Sequence, residues 1–180
     1  MERNKHNESS QYEVIKDIDC IMIILDETIK SFKEEYGREI NDDFKCELYV
    51  FCFYYCWKYI QKNDLIQMTA ENAILFQAAS YLRLEKNNCA ISRTEYPEFF
   101  KERFIHYQKE FPSFLQGVKN DKGFIPHYFH QSLFTIELLM EPINEYNSGI
   151  KFASSFLSLI NRIQYFLSIT FKGSSSFIEL

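Results

Sequence analysis

The chain has 180 residues, 46% of them hydrophobic, with 18 Phe, 12 Tyr, 5 Gly and 4 Pro; this excludes a disordered polymer and leaves few interruptions for a turn-rich β fold. The length suits a single domain with a full core. A formal net charge of −5 argues against a general nucleic-acid binder, which needs a basic surface to neutralise phosphates.

Residues 1–9 are polar and lack an apolar h-region, so they predict a flexible lead without an export signal, and a chain that stays in the cytoplasm. Ser9 or Ser10 can cap a first helix over 10–36, closed by Gly37. Its Ile15, Ile18, Met22, Leu25, Ile29, Phe32 and Tyr36 recur at spacings of 3 and 4. The apolar run at 20–25 widens that stripe beyond a two-helix seam, which predicts a bundle helix rather than a coiled coil.

The second helix, predicted over 43–62, is the centre of the scheme. Leu48 to Trp57 is an uncharged run of large residues without Gly or Pro. A helix apolar on every side has no face for water and belongs inside the others. Asn41, Asp42 and Asp43 supply N-cap chemistry, while Lys58 and Lys62 suit the negative end of the helix dipole.

A third helix is expected over 69–86, with Thr69 as cap, Ile74, Tyr81 and Leu82 as its seam, and Ala70, Ala73, Ala78 and Ala79 allowing close approach. Asn87 to Glu95 reads as a polar connector. Pro97 opens a fourth helix with Phe100, Phe104, Tyr107 and Phe111 inward, and Pro112 should stop or kink it. Ser113 to Ile125 shows no period and is expected to be irregular. Pro126 opens a fifth helix with Phe129, Leu133, Ile136 and Met140 on its stripe, and a sixth over 150–171 repeats Ala153, Phe156, Ile160, Ile163 and Leu167. Residues 173–180 form a tail.

The sequence therefore predicts an all-α single domain, a bundle of five to six helices spanning 10–172. The five cysteines are odd in number and form no CxxC pair, so they read as free thiols in a reducing compartment. The segment 152–171 has the length of a membrane span, but Asn161, Arg162 and Gln164 at its centre argue against one.

No Walker loop, dinucleotide glycine fingerprint, HExxH, GxSxG or zinc-finger spacing occurs. The third helix has no Lys or Arg before Arg83, which removes a helix-turn-helix reading. Tyr49, Tyr54, Tyr55, Trp57 and Tyr59 can line a ligand pocket, but aromatic residues at helical spacing are more often core. His106 and Glu110, four apart, with His127, His130 and Glu137, offer a transition-metal site in a bundle. They lack the repeated Glu-x-x-His of di-iron bundles, and capping or surface histidines explain them better.

Only 7 of the 45 charged residues fall in 124–180. On the sixth helix Ser154, Ser155, Ser158, Asn161, Arg162, Tyr165 and Ser168 form a polar face with one charge. Solvated faces carry several charges, whereas interfaces are poor in Lys and Glu and keep Arg and Tyr. The sequence thus favours a non-catalytic cytoplasmic protein-binding module of inhibitor, immunity or adaptor type. Its partner is another protein or a second copy, through this face, with no nucleic acid and no membrane. The alternative is a metal-dependent or small-molecule-binding bundle using the His and Glu set.

Overall fold

In a computed structural model, the described residues are 2–37, 40–120 and 146–171, and they form five helices and no strand. These are α1 (Glu2–Tyr36), α2 (Asp42–Asn63), α3 (Ala70–Lys86), α4 (Tyr96–Asn120) and α5 (Tyr146–Thr170). The helical bundle expected from the sequence is what the chain forms. The helix expected over 126–140 and the tail 173–180 lie outside the described residues.

The central position of α2 follows from its lack of a polar face. Every residue from Leu48 to Cys56 is buried, with Phe44, Glu47, Tyr59 and Ile60. Trp57, at the end of the run, is half-buried and packs on Phe76 of α3 with ring centroids 5.3 Å apart. The Asn41 side chain accepts from the Phe44 amide at 2.7 Å, satisfying one of the four orphan donors of the first turn. At the other end Asp64 adopts a left-handed conformation, and the Leu65 amide reaches back to the Ile60 carbonyl at 3.2 Å.

Around α2 the other helices close an aromatic core. Phe51 has no exposure and meets Phe156, Tyr107 and Phe111 at centroid distances of 4.9, 5.2 and 5.3 Å. One such buried ring stabilises the fold by about 1.5–3 kcal/mol. On α1 the predicted stripe is buried from Ile18 to Tyr36, joined by Ile21, but Ile15 at its start is 45% exposed. Gly37 ends α1 at φ +66, where a side chain would be strained, and its amide bonds the Lys33 carbonyl at 2.9 Å.

Four expectations are corrected. α1 is helical from Glu2, ahead of the Ser9 or Ser10 cap. α3 turns Phe76, Ser80 and Leu84 inward, while Ile74 and Leu82 of the expected seam are 66% and 61% exposed. The ring of Phe76 packs on Trp57 of α2 while Arg83 pairs with Asp26 of α1, and both contacts suit this rotation. α4 runs through Pro112 to Asn120, so residues 113–120 are helical rather than irregular. A mid-helix proline costs about 3 kcal/mol, but Phe111 just before it is buried against Phe51 and Tyr55, and this anchor holds the turn.

The fourth correction concerns the cysteines. Cys46 of α2 and Cys89 after α3 form a disulfide, leaving Cys20, Cys52 and Cys56 free. The spacing of 43 residues gave no sign of this pairing.

Candidate interaction surface

The outer side of α5 is set by what its inner side must bury. Phe152, Phe156, Leu159, Ile160, Ile163 and Leu167 face the core at spacings of 3 and 4. Gln164 is buried with them, and its amide donates to the Tyr55 hydroxyl of α2. Burial pushes the Tyr55 hydroxyl well above the ordinary tyrosine range, and the Gln164 bond lowers it in part.

On the opposite side Ser154, Leu157, Ser158, Asn161, Arg162, Tyr165 and Phe166 line a shallow depression of about 650 Å³. Five of the seven predicted face residues, Ser154, Ser158, Asn161, Arg162 and Tyr165, thus line it; Ser155 and Ser168 do not. Ser155 is 4% exposed, because it follows Phe152 by three and precedes Leu159 by four, which places it on the buried stripe. Leu157 and Phe166 line the depression without having been foreseen, and Ile169 is exposed a turn beyond Tyr165. Their signal was in the sequence, as apolar residues on a face read only for its polar members.

The chemistry of this face is more apolar than its serines suggest. Ser154 donates to the Lys151 carbonyl at 2.9 Å and Ser168 to the Tyr165 carbonyl at 2.7 Å, so both hydroxyls are turned back on the helix. Tyr165 is 54% and Ile169 51% exposed. The single charge, Arg162, bonds Glu35 of α1 and leaves the face close to neutral.

A second polar group lies inside the bundle. Arg103 of α4 and the Tyr107 hydroxyl both donate to the carboxylate of Glu47 on α2, and the guanidinium sits 5.0 Å from the centre of the Tyr107 ring. Burial pushes the Tyr107 hydroxyl up, with Arg103 acting in the opposite direction. Each charge here has its counterpart, which is the pattern of a helix-to-helix tie.

Of the candidate metal set, His106 and Glu110 are half-buried on α4. His106 meets the edge of Tyr107 at 5.7 Å and Glu110 pairs with Lys109 at 3.3 Å. His127, His130 and Glu137 lie outside the described residues. Among the described residues no three His, Cys, Asp or Glu gather closely enough to hold a metal, and no helix is long and apolar enough to cross a membrane. Tyr49, Tyr54, Tyr55 and Tyr59 are core residues. Comparison with protein-family models, curated proteins and solved structures returns no match.

Proposed function

We propose that this protein is a non-catalytic binding module that engages another protein through the outer face of α5. The observation that supports the reading is a neutral, partly apolar helix face, with Tyr165, Phe166 and Ile169 exposed beside a depression. Exposed aromatic residues ringed by small polar ones match the core and rim of protein interfaces. Inhibitor, immunity or adaptor roles all use a surface of this kind.

The test compares wild-type protein with the double variant Tyr165→Glu and Ile169→Glu, both at exposed positions, as bait in its native host. A partner retained by the first and lost by the second is expected, with both proteins giving the same circular dichroism spectrum. Equal recovery on both baits removes the reading. The self-association form is tested by light scattering: a monomer whose mass is the same in both proteins excludes it.

The cytoplasmic setting is part of the same proposal, and the Cys46–Cys89 bond counts against it, because cytosolic thiols are held reduced. Thiol counting on protein taken from the host decides this. Five free thiols place the chain in a reducing compartment, and three in an oxidising one.

A further inference from the structure

The Cys46–Cys89 bond joins two stretches of backbone that other contacts already bring together. The Cα atoms are 5.7 Å apart, a separation at which a disulfide closes without moving either segment. Lys45, beside Cys46 on α2, donates to the Asn87 carbonyl at 3.2 Å. Tyr49, a turn further on, donates to Asp26 of α1 at 3.0 Å, and Arg83 of α3 meets the other oxygen of that carboxylate at 3.0 Å. These polar ties hold α3 as far as Asn87 whether or not the sulfurs are joined.

Past Asn87 the hydrogen bonds turn back on the connector itself. The Cys89 amide reaches the Leu84 carbonyl at 3.1 Å, the Ile91 amide the Cys89 carbonyl at 2.9 Å, and the Ser92 hydroxyl donates to Glu95. Asn88, Ala90 and Ser92 to Glu95 are exposed, and Asn88 stands at φ +60. What docks this stretch on the bundle is the disulfide, with the partial burial of Ile91. A segment with so few buried side chains opens locally, ahead of the core.

The bond is reachable from one side. Cys46 is half-buried, whereas Cys89 is 8% exposed. An attacking thiolate therefore meets the Cys46 sulfur and expels Cys89, close to the ammonium that Lys45 holds at Asn87. Cys52 and Cys56 are fully buried, and desolvation keeps their thiols protonated, so neither attacks the bond from within.

We propose that Cys46–Cys89 is a reversible redox latch on the connector 88–95: closed, it holds the segment on α2, and opened by an external dithiol it frees the segment while the helices stay packed. One thiolate of the dithiol bonds to the Cys46 sulfur, and the electron pair of the broken bond leaves on Cys89, which takes up a proton. The second thiol of the reductant then displaces Cys46 as its thiol. The protein gains two thiols and the dithiol becomes a disulfide; a small disulfide such as glutathione disulfide reverses the sequence. The latch is independent of the α5 face.

The test is hydrogen exchange read by mass spectrometry on wild-type protein, well below its thermal midpoint and without denaturant. Dithiothreitol is expected to raise the free thiols from three to five and to speed deuterium uptake in 88–95 by about tenfold or more, while peptides covering Leu48 to Cys56 stay protected over the same minutes. Glutathione disulfide, added after the dithiol is removed, should restore three thiols and slow uptake. Cys46→Ser with Cys89→Ser should match the reduced protein with or without dithiol. Equal uptake in the two wild-type states, a bond that dithiothreitol leaves closed, α2 uptake that rises together with that of the connector, or slow uptake that does not return on reoxidation each overturns the latch.

Discussion

A carboxylate at 5% exposure in the second turn of an aromatic helix, as Glu47 is, carries a desolvation cost of several kcal/mol that only its partners offset. Arg103, with 14% of its side chain exposed, supplies the opposite charge, and Tyr107 adds a hydroxyl donor. Truncating one partner strands the other. Arg103→Leu is expected to lower stability by about 3–5 kcal/mol, whereas Glu47→Leu combined with Arg103→Met should restore most of the loss. Chemical denaturation of the three proteins measures this; a double variant as unstable as the single one contradicts the account. None of this was legible in the sequence, because Glu47 and Arg103 are 56 residues apart and each alone reads as a surface charge. The caps, by contrast, were legible: Asn41 and Thr69 act on residues three positions away, within the reach of local rules.

At the scale of elements, the legible helices were those with only one possible arrangement. α2 has apolar residues all round and must be central; α1 has one continuous stripe and must turn it inward. α3 was misread because it is apolar on two sides. Ile74 and Leu82 form one stripe, Phe76 and Leu84 another, and only packing against the neighbouring α1 and α2 chooses between them. Residue types on α5 marked its outer face, yet the inward turn of Ser155 and the apolar share of Leu157 and Phe166 needed the helix in place. The disulfide is an element-scale tie of the same kind, joining α2 to the α3–α4 connector, where Lys45 also donates to the Asn87 carbonyl at 3.2 Å. Closing a loop of 43 residues removes chain entropy from the unfolded state worth about 4 kcal/mol in the loop-closure model. A reducing agent, or Cys46→Ser with Cys89→Ser, is therefore expected to lower the thermal midpoint markedly while leaving the helical spectrum at low temperature unchanged. An identical midpoint with and without reductant is the result that rejects the tie.

For the whole molecule, burial of so many hydroxyls and thiols sets the response to alkali. Desolvation raises the hydroxyls of Tyr49, Tyr55, Tyr96 and Tyr107 above their ordinary value of 10.0, and the thiols of Cys52 and Cys56 above 9.0. All six groups favour the protonated form in the folded chain. The unfolded chain therefore releases protons first as pH rises, and stability must fall with increasing pH once the unfolded values are passed. Below pH 9 these groups contribute their full stabilisation; the loss begins as unfolded thiols ionise and steepens above 10.0 as tyrosines join them. The measurable consequence is coincidence. In an alkaline titration, the ultraviolet signal of tyrosinate from these four buried rings should appear together with the loss of helical ellipticity. Ionisation of Tyr49, Tyr55, Tyr96 and Tyr107 with ellipticity intact means that water reaches the α2 core, and the dry aromatic centre on which the fold rests would have to be abandoned.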